Sequence, residues 1–159
     1  TGRPSARVVL LKECDADGFV FFTNYRSAKG RQLQQNPQAA LVFLWLELER
    51  QVRVEGTVSK IPPAESEAYF RTRPRESRLG SLASRQSQVV VSRQTLDERF
   101  QTLDAQYPDD NIPIPHHWGG YRVRPEILEF WQGRHGRMHD RLRYRRSVEG
   151  GWLLERLEP

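Results

Sequence analysis

Residues 130–141 read Phe130-Trp131-Gln132-Gly133-Arg134-His135-Gly136-Arg137-Met138-His139-Asp140-Arg141 and gather cations, imidazoles and a large aromatic surface. Side chains of an extended chain alternate between faces, so Arg137, His139 and Arg141 would share one side and Met138 and Asp140 the other. Neighbours on that side would stand roughly 6.6 Å apart, a spacing that suits a planar anionic ligand. Composition alone also reads such a row as a solvated, edge-protecting face. The adjoining Trp131, Gln132 and Gly133 add a flat surface, an amide and a flexible backbone, which favours a binding role.

Other residues suit anions. Ser27 is placed to cap a helix that runs to Asn36, and Lys29 and Arg31 fall in its first turns. Cations there oppose the helix dipole unless an anion, of which phosphate is the natural choice, sits at the helix start; a solvated helix end is the competing reading. Tyr69 and Arg73 lie four apart at the end of a second helix, and Ser77 follows just beyond Pro74. A phenol, a guanidinium and a hydroxyl at one corner make a phosphate clamp, although a Tyr–Arg pair at this spacing also serves plain packing. Gln86 and Ser87 lie in a loop, and Gln51 falls on the polar face of a strand, where its amide can donate and accept.

Several functions lack the residues they need. Cys14 is the only cysteine, so there is no internal disulfide and no cysteine-rich metal site. His116 and His117 are adjacent, would point apart in a strand, and have no carboxylate at ligand spacing, so no metal is assigned. The net charge is +5, with 25 Lys and Arg of which only Lys12, Lys29 and Lys60 are lysine. Arginine's planar fork matches carboxylate and phosphate. These arginines are scattered among acids, however, without a nucleic-acid-binding signature. No apolar run approaches the roughly 18 residues of a membrane span and no signal peptide opens the chain, so the expectation is a cytoplasmic protein without membrane or nucleic-acid partners.

The elements that must position these residues are mostly strands. A length of 159 residues suits one domain, 1–159. Thr1 to Ala6 read as the lead-in to a domain already under way, so an upstream segment is expected. Val8–Leu11 and Phe19–Asn24, joined by the turn residues Asp15–Gly18, suggest a hairpin. Ala39–Leu46 is nearly continuous apolar sequence and reads as a central strand covered on both faces. Arg50–Lys60 alternates, with Val52, Val54 and Val58 on one face and Gly56 a candidate bulge. Pro63–Thr72 and Ser92–Tyr107 read as helices, the second with the stripe Leu96, Phe100, Leu103, Tyr107. Asn111–His117 reads as a rigid surface connection, and Gly119–Arg124, Glu126–Gln132, His139–Arg146 and Trp152–Leu157 as strands. The result is mainly β with helical insertions, an antiparallel barrel; a parallel doubly wound sheet lacks its glycine fingerprint and its alternation.

Arg7-Val-Val-Leu-Leu-Lys12, Phe22-Thr23-Asn24, Arg50-Gln51-Val52, Tyr69-Phe-x-x-Arg73-Pro74, Ser84-x-Gln86-Ser87, Trp118-Gly-Gly and Phe130-Trp-Gln-Gly…Arg137-x-His139-Asp140-Arg141 fall in an order that resembles the pyridoxine/pyridoxamine 5′-phosphate oxidase family over nearly the whole chain. The resemblance implies an FMN-binding split β-barrel, a homodimer with two FMN at the subunit interface. It implies oxidation of pyridoxine or pyridoxamine 5′-phosphate, with dioxygen as acceptor and hydrogen peroxide as product. Arg7, Lys29, Gln86 and Ser87 resemble the residues that hold the FMN phosphate and ribityl chain, and Phe22, Thr23, Gln51, Trp131 and Arg141 those lining the rest of the flavin. Lys12, Tyr69, Arg73 and Ser77 resemble the clamp on the substrate phosphate, with Lys12 standing in the cofactor set as well. Arg137 and His139 resemble the catalytic pair facing the pyridine ring. Where the family often carries Arg-Lys, this chain has Ala28-Lys29, which removes one phosphate contact unless Arg26 or Arg31 replaces it. Two other readings stay open: a related flavin oxidase acting on a phenazine-type substrate, and a non-catalytic protein that binds FMN or pyridoxal phosphate.

Overall fold

The computed structural model describes residues 3–159; Thr1 and Gly2, the start of the expected lead-in, lie outside the described residues. Seven strands form one antiparallel sheet: β1 (Glu13–Asp15), β2 (Gly18–Asn24), β3 (Gln38–Trp45), β4 (Arg50–Lys60), β5 (Trp118–Gln132), β6 (Asp140–Arg146) and β7 (Trp152–Leu157). Four helices are inserted: α1 (Ala28–Gln35), α2 (Pro63–Thr72), α3 (Arg75–Ala83) and α4 (Arg93–Gln106). The expected class, mainly β with helical insertions, is what the chain adopts.

The sheet is organised on β5. Its first half pairs with β2, its second half pairs with β6 on the same edge, and β4 runs along the other edge. Changing partners midway curls the sheet around a core of Phe21, Val54, Val58, Tyr121 and Val123. The curl needs a phase change. Val54 faces Leu128 while Val58 faces Val123, so the register slips opposite Gly56, where Glu126 is the extra residue on β5. A Cβ on Gly56 would lie 2.0 Å from the Arg124 carbonyl oxygen, which is why glycine stands there.

The same slip explains one difference from the sequence reading. Gly119–Arg124 and Glu126–Gln132 are a single strand; alternation read along the chain breaks at Pro125 because the inward face changes parity there. Val8–Leu11 is not a strand: β1 is confined to Glu13–Asp15, although the Lys12 N–H still bonds the Val20 carbonyl at 2.9 Å. β3 is also not central. It ends the strand order, with Leu41 and Phe43 packed on the core while Val42 and Leu44 stay exposed in the single chain. Continuous apolar sequence marks a strand with two apolar faces, not one with two covering layers.

The helix ends follow local chemistry. The Ser27 hydroxyl accepts from Gly30 N–H at 3.2 Å, the Ser92 hydroxyl accepts from Thr95 N–H at 3.2 Å, and Pro63 opens α2. α3 had not been expected, because Pro74 reads as a break; there it caps the next helix. A second core of Phe70, Leu79, Ile112 and Trp118 lies between the helices and the sheet, with Phe100, Leu103 and Tyr107 of the α4 stripe against it. Ile112 and Pro115 are buried, so the 111–117 connection is anchored inward and does not simply cross the surface.

Candidate functional site

The side chains with anion-binding chemistry fall into three groups. The first surrounds the start of α1. Lys29 Nζ donates to Thr23 Oγ1 at 2.8 Å and lies 3.4 Å from Gln86 Oε1, which also accepts from Thr23 Oγ1 at 3.1 Å. Burial, and then the neighbouring Arg7 charge, hold the Lys29 ammonium below its ordinary pKa. Arg7 Nη2 donates to Ser5 Oγ and Gln32 Oε1, both at 2.9 Å, so the N-terminal segment is tied onto α1. Neither Arg7 nor Lys29 has a carboxylate partner among the described residues. Two cations placed together without an acid among the described residues have the chemistry to receive an anion. Ser87 is exposed with φ of 70°, a left-handed conformation in the turn closed by Gln88 N–H to Arg85 O. Arg31 is spent on the Arg26 carbonyl at 2.5 Å.

The second group lies where β2, α2 and α3 meet. Phe22 stacks on Tyr69 with centroids 4.0 Å apart and on Trp118 at 5.2 Å, which makes an aromatic shelf. Lys12 Nζ stands 5.9 Å from the Tyr69 ring, and the Arg73 guanidinium lies 4.7 Å from Trp118. Arg73 is half-buried, burial lowers its pKa, and it too lacks a carboxylate among the described residues. Ser77 sits half-buried one helical turn before Ser81, whose hydroxyl accepts from Arg73 Nη1 at 2.7 Å. Lys12, Tyr69 and Arg73 therefore share one corner, and Ser77 is linked to it by its backbone carbonyl, which accepts from the Ser81 hydroxyl, and not by its own hydroxyl. Trp118 and Ser81 were not singled out as site residues; an aromatic before Gly119-Gly120 was the only signal for the first, and nothing marked the second.

The third group is a row across the sheet. Register aligns Leu44, Gln51, Trp131, Arg141 and Leu157 on β3, β4, β5, β6 and β7, on the face opposite the first core. The next row holds Val42, Arg53, Glu129, Arg143 and Glu155. Glu129 is 6% exposed and binds Arg141 in bidentate fashion, Nε to Oε1 at 3.0 Å and Nη2 to Oε2 at 3.1 Å, with Arg53 Nη1 at 3.3 Å. The Arg141 guanidinium is thereby fixed on Glu129, while its backbone pairs with that of Trp131.

The expected row of Arg137, His139 and Arg141 on one strand face is not what forms. β6 begins at Asp140, and residues 135–137 make a 3-10 turn in which Gly136 and Arg137 have φ of 64° and 62°. The Arg134–Asp140 ion pair at 2.8 Å closes this turn, while Asp140 also holds Arg156 at 2.7 Å. His139 instead leans on Trp131, centroids 4.8 Å apart, so Trp131 is where His139 and Arg141 meet. His139 Nδ1 accepts from the Arg134 backbone N–H at 3.1 Å, which leaves Nε2 to carry the proton of the neutral ring. Arg137 is exposed and its side chain has no hydrogen-bond partner among the described residues. Among the described residues no hydrogen bond, ion pair or ring contact joins the third group to the first two within one chain.

Comparisons with known proteins give this geometry a context. The family model described as pyridoxamine 5′-phosphate oxidase matches residues 1–107, and that described as the pyridoxine 5′-phosphate oxidase C-terminal dimerisation region matches residues 118–159. The pyridoxine/pyridoxamine 5′-phosphate oxidase of Salinibacter ruber is 61% identical over 160 residues, covering 99% of this chain and 74% of the relative. That of Paraburkholderia phymatum is 58% identical over 158 residues, with 99% and 74% covered. Among solved structures, PhzG from Burkholderia lata 383, in complex with tetrahydrophenazine-1-carboxylic acid, superposes with a TM-score of 0.93 at 32% identity, covering 99% of this chain and 77% of that one. A pyridoxamine 5′-phosphate oxidase-related, FMN binding protein from Nostoc punctiforme shares the fold, with a TM-score of 0.81 at 21% identity and coverage of 99% and 82%. Two adjacent family models that together span almost the whole chain, with relatives this similar along its length, place the chain in the pyridoxamine 5′-phosphate oxidase family.

Proposed function

We propose that this chain oxidises pyridoxine or pyridoxamine 5′-phosphate to pyridoxal 5′-phosphate with FMN as cofactor and dioxygen as electron acceptor, releasing hydrogen peroxide, as a homodimer that holds the flavin between subunits. The observation that carries this reading is the pair of cation groups that have no acid partner among the described residues, Arg7 with Lys29 and Lys12 with Arg73, each suited to one phosphate ester. A flavin phosphate and a substrate phosphate call for two such receptors.

The donor set fits FMN. Arg7, Lys29, Thr23, Gln86 and Ser87 would hold its phosphate and ribityl chain, and Gln51, Trp131 and Arg141 would meet its polar ring edge and flat face, with Phe22 alongside. Among the described residues no hydrogen bond, ion pair or ring contact joins Gln51, Trp131 and Arg141 to the phosphate set, which is the arrangement expected if a second subunit completes each site. When bound, FMN supplies the two-electron acceptor that the protein itself lacks.

The chain's own contribution is binding, orientation and exclusion of water. Lys12, Tyr69, Arg73 and Ser77 anchor the substrate phosphate, and this remote binding energy fixes the reacting carbon without being spent at it. His139, its Nδ1 occupied by the Arg134 N–H, presents Nε2–H as a donor to a ring substituent. Arg137, on an exposed turn, covers the outer face of the pyridine ring. Among the described residues no helix is long and apolar enough to cross a membrane.

The test is anaerobic mixing of flavin-loaded protein with pyridoxamine 5′-phosphate, followed by air. Loss of flavin colour, its return with oxygen, and pyridoxal 5′-phosphate in the product are expected. Yellow protein that never bleaches would leave the non-catalytic binding reading. The likeness to PhzG makes a phenazine-type substrate the second oxidase reading, and the acid-free Arg73 corner favours a phosphorylated one.

A further inference from the structure

Arg73 is an arginine held at both ends by α3. Its backbone carbonyl accepts from Arg78 Nε at 3.1 Å, and its Nη1 donates to Ser81 Oγ at 2.7 Å. The Ser81 hydroxyl has one proton, and that proton goes to the Ser77 carbonyl at 2.9 Å. Its lone pairs are therefore turned outward, towards Arg73, and the hydrogen bonds run in one direction from guanidinium to hydroxyl to carbonyl. Trp118 covers one face of the guanidinium at 4.7 Å, and Phe70 lies 5.7 Å away. One donor is committed, the plane is fixed, and the remaining N–H groups have no carboxylate among the described residues.

We propose that Ser81 is a positioning residue for phosphate recognition: through its one-way hydrogen bond it sets the guanidinium plane of Arg73, so that the enzyme prefers phosphorylated vitamers over their unphosphorylated forms. This rests on the reading of Arg73 as the substrate-phosphate anchor. An arginine free to rotate would still attract a phosphate as a charge, but it would lose the fixed fork that makes two parallel bonds. Ser81 does not touch the substrate; it acts through Arg73.

Ser81→Ala removes the hydroxyl from a helix in which alanine is the better helix former, so loss of folding does not confound the measurement. In the flavin-loaded enzyme, KM for pyridoxamine 5′-phosphate should rise about tenfold with kcat within about twofold, the scale of one hydrogen bond to a charged group. KM for pyridoxamine, which has no phosphate, should not move. Inorganic phosphate should inhibit Ser81→Ala about tenfold less tightly, and Ser81→Thr, which keeps the hydroxyl, should restore both values. Arg73→Lys runs beside it as the control. If Arg73→Lys raises KM for the phosphorylated substrate while Ser81→Ala does not, the role of Ser81 is refuted and that of Arg73 stands. If neither variant changes KM, or both vitamers respond alike, the phosphate site has been misplaced and the inference fails with it.

Discussion

At the scale of single residues, His117 shows how the environment sets a charge. Its imidazole is held below the ordinary pKa of 6.5, chiefly by burial and next by the Arg26 charge, with a hydrogen bond to the Ser81 backbone opposing the shift. A depressed folded pKa means that the unfolded chain takes up the proton first. This stability is fully present above pH 6.5 and is lost as pH falls through the folded value. Urea midpoints should therefore drop between pH 7.5 and 5.5 by more in the wild type than in His117→Gln, and equal drops would discount the group. Glu129 is a buried acid that Arg141 and Arg53 face. Nothing in the local sequence marks it, since its partners stand 12 and 76 positions away.

At the scale of elements, the slip between β4 and β5 decides which residues face the core. Gly56→Ala would drive a Cβ into the Arg124 backbone, and backbone in a central pair of strands cannot give way as a flexible side chain can. We expect a loss of about 1–3 kcal/mol, seen as a lower urea midpoint at unchanged slope. A variant as stable as the wild type would show that the strands part freely there. The elements also show how far short-range signals reach. Ser27, Ser92 and Pro63 marked helix starts that the structure contains, and Trp152–Leu157 is a strand with the bounds that its sequence implied. α3 stayed hidden because Pro74 is read equally well as the stop of one helix and as the cap of the next, and only packing of Leu79 in the second core decides between them.

At the scale of the whole molecule, the face carrying Gln51, Trp131 and Arg141 continues into exposed apolar residues, Val42 at 59% and Leu44 at 56%. A strand at the end of a sheet with bare apolar side chains needs a cover, and the C-terminal region matches a dimerisation model. Val42→Glu with Leu44→Glu should shift the protein from dimer to monomer in sedimentation velocity, and on the proposed placement of the flavin between subunits FMN affinity should fall at least about tenfold, since each site would lose half its donors. Dimers with unimpaired flavin binding would place the subunit contact elsewhere.

What the sequence determined by itself was chemistry and local form: which residues have the chemistry to bind a phosphate, where three of the four helices begin, and that alternating strands build an antiparallel sheet. These depend on side-chain type and on spacings of a few residues, which the chain carries wherever it folds. The tertiary structure alone decided who stands beside whom. Trp131 meets Gln51 across one strand pair and Arg141 across the next, Arg137 leaves the strand for a turn, and Ser81 takes hold of Arg73. The physical reason is that register and helix docking are set by long-range burial and by one slip in pairing, and a period read along the chain does not say which strand lies next to it.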